Sequence, residues 1–407
     1  MHRSGRPEPG AIRTSLADAA WRLFADSPPA GVSTRDIAEA SGCSHAMVTR
    51  AFGGKAGLEL AVSERLAQVL EVAVISAFTE HDQPFSALIE VWRSHPRVAH
   101  LLVRAGLNDL PVQPLVDSVS LGHRLVGHIE ELRGGNPKRP AQRSRVAAYL
   151  TLCGLFGLYT FDEFLTWATR LDGMPVADRD RVSALALQSV AALAADSSID
   201  LRLPRAGRSG APGGARSTRG RASGRREVRQ ALVLAAAELF ASKGPAAVSI
   251  REISERAGLQ HGLIHRYFGS KDALLEAALD GIFDPMVTAA TVGASLDVPT
   301  VVRLQLDSLG TWLFARLLVD GVDIRSVRPT NPIFAAVLSR YPQLPDGAGP
   351  VSLDNPRLAL HAAAAVTMGA TIWDKPVRQL CGLPVEDDVA IDVPISTAVM
   401  YLLSNLA

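Results

Sequence analysis

Ser44, His45, Gln260 and His261 carry hydrogen-bonding groups suited to the edge of a nucleic-acid base, and they stand at matching places in a chain of 407 residues. Glutamine can bond adenine through both of its edge atoms, while serine and histidine can donate or accept. A second reading stands for Ser44 and Gln260, which could simply open a helix, serine being a favoured N-cap. Lys55 and Lys271 lie just beyond, placed for a phosphate backbone or for solvent. Arg35 and Arg251 lie just before and offer the same two choices. Gly262 has no side chain and permits a close approach. Catalytic chemistry has no comparable support. No carboxylate–histidine–nucleophile set stands out, and neither GxGxxG nor a P-loop occurs. His95 and His100, like His123 and His128, are five apart and do not share a helix face, so they are no metal pair. Cys43, Cys153 and Cys381 are scattered without CxxC, which indicates a reducing compartment, no disulfide and no zinc site. Cys43 reads as a small apolar plug. No cofactor is implied.

The elements that hold these side chains occur twice. Arg13–Leu58 lies over Arg229–Leu274 without a gap, and nearly half the positions are identical. In the second copy a helix with an apolar stripe runs over about Arg225–Lys243, and Gly244 and Pro245 break it. Ser249 and Glu252 form a capping box that starts a short helix burying Ile253 and Ala257. Gly258 suits the left-handed residue that ends it. Gln260–Phe268 is predicted as the next short helix, with Ile264 and Phe268 inward, and Lys271 opens a longer one. The first copy repeats the pattern with Ser33 and Asp36 as cap pair, Gly42 at the turn and Ser44–Phe52 as the reading helix. Two short helices joined by a tight glycine turn behind a supporting helix make a helix-turn-helix.

The stretch VSIREISERAGLQHGLIHRYFGSKDALL (Val248–Leu275) resembles the N-terminal domain of TetR-family regulators. The resemblance covers about fifty residues per copy. It implies an all-α, DNA-binding transcriptional regulator, in which His265, Tyr267 and Lys271 touch phosphates and Phe268 is core. The first copy departs from the family pattern. Thr49 and Ala51 replace the aromatic or imidazole groups, while Phe52 and Lys55 remain. Thr49 keeps one donor for a phosphate and Ala51 has none, so the first reader is expected to bind its half-site more weakly, or not at all.

The rest of each half is apolar and helical. Weaker echoes pair Ser94–Leu102 with Thr330–Leu338, and Gly157–Asp162 with Gly369–Asp374, placing Asp162 opposite Asp374. The expected organisation is a helix-turn-helix domain over 1–55, a helical regulatory domain over 56–197, a linker over 198–224, a second helix-turn-helix over 225–271 and a second regulatory domain over 272–407. The linker is rich in Arg, Gly, Ser and Pro, and reads either as a solvated tether or as a basic arm on DNA. In proteins of the resembled family the region after the reader binds a small molecule and dimerises through its last two long helices. Here Arg143–Ala168 with Arg181–Ala194, and Arg357–Val377 with Pro394–Leu406, take those places. Their broad apolar faces would let the two halves dock as a pseudo-dimer in one chain, with further homodimerisation left open. Trp92, Phe156, Tyr159 and Trp167, and Trp312, Phe334, Met368 and Trp373, are candidate pocket walls for an apolar or weakly polar effector, against the plainer reading as core. Net charge is +1, so any nucleic-acid site must come from local clustering. No signal peptide and no run of about 18 apolar residues appears, so neither secretion nor a membrane span is expected and a cytoplasmic location is. The expectation is a ligand-responsive repressor on an imperfect palindrome of double-stranded DNA. The alternatives are a regulator with only the second reader active, and a helical ligand carrier without a DNA role.

Overall fold

The computed structural model describes residues 9–118, 120–203, 224–291, 297–307, 309–327, 331–339, 352–386 and 389–404. It is all-α, with no strand among the described residues. The first half comprises α1 (Pro9–Asp26), α2 (Thr34–Ala40), α3 (His45–Phe52), α4 (Lys55–Glu80), α5 (Pro84–Ser94), α6 (Pro96–Gly106), α7 (Gln113–Ser118), α8 (Leu121–Leu132), α9 (Gln142–Ala168) and α10 (Val176–Ala192). The second comprises α11 (Arg225–Lys243), α12 (Ile250–Ala257), α13 (Gly262–Phe268), α14 (Lys271–Thr291), α15 (Val298–Leu306), α16 (Leu309–Val319), α17 (Ile324–Val327), α18 (Pro332–Leu338), α19 (Pro356–Leu380) and α20 (Asp392–Ser404). Arg205, Arg208, Arg216, Arg219 and Arg221 of the expected linker lie outside the described residues.

Local sequence explains the reader helices. Ser33 Oγ accepts the Asp36 backbone N–H at 3.2 Å, and Asp36 Oδ2 accepts the Ser33 N–H at 2.8 Å. Ser249 and Glu252 repeat the exchange at 3.1 and 2.9 Å. Each box satisfies two donors that a helix start leaves open. Gly42 and Gly258 both sit at φ 68°, where a side chain would be strained. The second reading helix begins later than expected. Gln260 precedes α13, its carbonyl accepting Leu263 N–H at 3.1 Å, and His261 stands at the N-cap.

Two compact units form, one ending at Leu121 and one beginning at Gly122. In the first, α1, α2 and α3 bury Leu16, Phe24, Ile37 and Val48, α6 packs on α1, and α7 packs on α4. In the second, α11 packs with α12, α14 and α16, and α18 packs on α14. The resemblance of Ser94–Leu102 to Thr330–Leu338 therefore does not mark structural counterparts. The segment of α6 lies on α1, as α16 does on α11, whereas α18 lies on α14 as α7 does on α4. Both segments have proline in the first turn of a short helix, and that shared start signal produced the likeness.

The repeat boundary is also not the boundary of the units. The long helices α9 and α10 join the second unit because α9 packs along the length of α19, with α10 and α20 completing a four-helix bundle. The start of the expected linker is fixed as well. Leu201 is buried, and Arg143 donates to the carbonyls of Ala194 (3.2 Å), Ile199 (2.9 Å), Leu193 (3.3 Å) and Asp196. A guanidinium in that place satisfies carbonyls that the end of α10 leaves open.

Candidate nucleic-acid interface

The second reader presents Gln260, His261, Gly262 and His265 on an exposed face, over a core closed by Ile253 and Ile264. A Cβ added at Gly262 would meet no other part of the protein within 4 Å, so this side of the residue is open to an approaching group. His265 Nδ1 lies 3.1 Å from the Gly269 carbonyl, which can only accept, so this nitrogen carries a proton. Nε2 is then a donor only when the ring is protonated. Tyr267 and Phe268 are half-buried, with ring centres 6.5 Å apart. Arg225 stands 6.0 Å from the Tyr267 ring centre, and Arg229 lies 5.3 Å from that of Phe268. Lys271 is not simply solvated. Its Nζ donates to the carbonyls of Pro245 at 2.8 Å and Val248 at 3.2 Å, tying the start of α14 to the loop before α12. An ammonium has three protons, so one remains for a phosphate. Arg251 is exposed and pairs with Glu255 at 2.8 Å. Beside it, hydrogen bonds from the Ser249 backbone N–H, from Lys243 and from the Ser249 hydroxyl hold the Glu252 carboxyl down at about 2.

The first reader keeps the scaffold and changes the surface. Ser44 stands at the N-cap of α3 without a side-chain cap bond, which leaves its hydroxyl free of that task. His45 is exposed, but its Nε2 lies 2.8 Å from Thr34 Oγ1 at the start of α2. Thr49 and Arg35 are exposed, and Lys55 is half-buried at the first position of α4. Arg13 lies 4.4 Å from the Phe52 ring centre and donates to the Ala51 carbonyl, so Arg13 and Arg229 cover matching phenylalanines. The sequence reading missed this role, although both arginines are identities of the repeat.

The candidate pocket residues separate into three groups. Phe334 and Met368 line an apolar cavity of about 80 Å³, open on one side, between α15, α18, α19 and α20. Phe156 and Trp373, expected as pocket walls, pack against each other with rings tilted by 47° and centroids 4.8 Å apart where α9 meets α19. Trp92 is buried in the first unit, while Tyr159, Trp167 and Trp312 are half-buried, Trp167 against Phe164 at 5.8 Å.

Where α9 meets α19, contacts occur in matching pairs. The register that lays Gly157–Asp162 on Gly369–Asp374 also lays Arg145 on Arg357 and Tyr149 on His361. Arg145 donates to the Cys381 carbonyl at the end of α19 (3.1 Å), and Arg357 to the Arg170 carbonyl beyond the end of α9 (3.4 Å). Tyr149 donates to Asp374 at 3.0 Å, and His361 Nε2 lies 3.6 Å from Asp162. Burial, with the Cys153 thiol and Asp374 beside it, pushes the Tyr149 hydroxyl well up, so it stays neutral and donates. A Cβ on Gly157 would stand 1.8 Å from the Ala365 carbonyl oxygen, and one on Gly369 1.8 Å from that of Cys153. Of the two matching aspartates, Asp374 accepts a hydrogen bond across this helix pair, while Asp162 lies close to His361 beyond hydrogen-bond distance. The remaining members of these pairs went unread because no local signal marks them.

Comparison with known proteins adds two findings. The family model described as bacterial regulatory proteins, tetR family, matches residues 16–62 and again 232–278. An HTH-type transcriptional repressor of Mycobacterium tuberculosis and an HTH-type transcriptional regulator of Mycobacterium bovis are each 34% identical over 162 residues, which is 40% of this chain and 81% of each relative.

Proposed function

The chain belongs to the tetR family of bacterial regulatory proteins and is a DNA-binding transcriptional regulator, and from that premise we propose that it works as a repressor whose two readers form a pseudo-dimer within one chain. The observation that carries this reading is the matched set of contacts between α9 and α19. Two-fold assemblies have such a face, in which residue i meets j and j meets i. A homodimer would make those contacts between chains, whereas here they are intramolecular. The readers would enter successive major grooves about 34–36 Å apart. Because Gln260, His265 and Tyr267 face Ser44, Thr49 and Ala51 at matching places, the operator would be an imperfect palindrome. The repressing sign is supported by the name of the Mycobacterium tuberculosis relative.

In this reading Gln260, His261, Ser44 and His45 read bases, with Gly262 permitting close approach. His265, Tyr267, Thr49, Lys55, Lys271, Arg35 and Arg251 hold phosphates. A ligand in the apolar cavity beside Phe334 and Met368 would favour a reader spacing that no longer fits the DNA.

A second reading, with only the second reader active, is favoured by the engagement of His45 with Thr34 and by the lack of a donor at Ala51. Light scattering of the protein on its operator, paired with footprinting, separates the two. One chain protecting two grooves one turn apart supports the pseudo-dimer. One protected groove per chain overturns it and supports the single reader.

A further inference from the structure

We propose that the chain carries a single effector site, in its second half alone, and that this site takes a small neutral molecule with a hydrocarbon body and one hydrogen-bond donor. The inference rests on the effector reading above and specifies its ligand and its number. The cavity wall is almost wholly aliphatic and aromatic, with Val302, Ile333, Phe334 and Met368 among its residues, and no charged side chain lines it among the described residues. An ionised ligand would lose its hydration there without a counter-charge. Two polar groups reach the wall, Gln305 and Thr367. Gln305 Nε2 donates one proton to the Thr311 hydroxyl and keeps a second, while the Thr367 hydroxyl spends its only proton on the Ala363 carbonyl, so a donor on the ligand is the one group that both residues can meet, through their oxygens. A cavity of about 80 Å³ is roughly half the ~150 Å³ of an apolar cavity that encloses benzene, so a single ring or a narrow chain would enter by its open side and be only partly enclosed. A phenol or short alcohol has that shape and that one donor.

The number follows from the register of the two long helices. Ala363, Ala364, Thr367 and Met368 form the α19 wall, and at the matching places α9 carries Thr151, Leu152, Leu155 and Phe156. Each of these four is bulkier than its counterpart, and all are buried. Only Leu360, matched by Ala148, runs the other way. The side chains that fill this face of α9 are therefore the ones whose truncation leaves the space on α19. Duplication supplied two like helices, and substitution along one of them made the halves unequal.

The test is a titration of the full chain with 4-fluorophenol followed by fluorine NMR, on the parent and on A364L/T367L, which gives α19 the leucines of α9. The expected result is one site per chain, with affinity at least tenfold weaker in the double variant at unchanged helicity. Two equivalent sites per chain, or one site indifferent to the leucines, would overturn the proposal. If the double variant loses helicity, V301F on the facing wall is the second plug, and unimpaired binding to it overturns the proposal equally. Saturable binding that leaves DNA affinity unchanged supports the site while overturning the effector reading, so the two fail separately.

Discussion

Lys271 and His265 each bond to backbone carbonyls of their own domain, and in the proposed function each would also hold a phosphate. Two ammonium protons of Lys271 hold the loop before α12, which leaves the third for a phosphate in the proposed function. Lys271→Ala should therefore lower the slope of log affinity on log salt by about one, the signature of a lost phosphate contact. It should also destabilise the chain by about 1.5–3 kcal/mol, the range for hydrogen bonds to a charged group. Salt titration and denaturant midpoints measure the two effects, and a lost midpoint with an unchanged slope would leave the lysine only its loop role. Glu252 gives a pH prediction. Its carboxyl is held at about 2, below the ordinary 4.5, so its contribution to stability is complete above pH 4.5 and is lost as pH falls toward 2. Glu252→Gln should flatten the pH dependence of helix unfolding across that window, as followed by circular dichroism. The positions of these residues were legible because caps and turns are local. Their partners were not, since the acceptors of Lys271 and His265 are backbone carbonyls, which no residue type announces.

The glycine pair at the crossing of α9 and α19 decides what those two elements can tolerate. Gly157→Ala and Gly369→Ala each drive a methyl to 1.8 Å from a carbonyl oxygen of the facing helix. Backbone cannot swing aside as a side chain can, so each should destabilise the chain by about 3 kcal/mol or more, at or beyond the usual overpacking cost. Thermal melting checks this, and an unchanged melting temperature for either would contradict the close approach. Gly42→Ala meets open space but sits at φ 68°, and should cost only about 1 kcal/mol. The helices of both readers were readable from Ser33, Gly42, Ser249 and Gly258, each of which acts within one turn of the chain. The long helices were readable as helices with broad apolar faces. Their choice of partner depended on residues more than 200 positions apart in sequence, such as Tyr149 and Asp374, which periodicity does not connect. The mistaken pairing of α6 with α18 came from treating a shared proline start as shared position.

At the scale of the molecule, the pseudo-dimer proposed above would, through its intramolecular α9–α19 face, remove the dilution behaviour of a regulator that must first pair two subunits. DNA binding should follow a one-site isotherm with a Hill slope of about one down to the lowest protein concentration, because no subunit equilibrium intervenes. A gel-shift series over a wide dilution range measures this, and a slope near two would show that two chains assemble on the site. The same face has a consequence for how such a sequence can change. In a symmetric pair every substitution is felt twice, and a residue must tolerate its own image across the axis. Here Trp373 lies against Phe156 and Cys153 stands where the other helix has Ala365, so each helix faces a neighbour with its own history. A change on one side can be answered on the other without being copied back. In the proposed pseudo-dimer, two readers joined in one gene would be free to drift toward different words, and the DNA they recognise would no longer need to mirror itself.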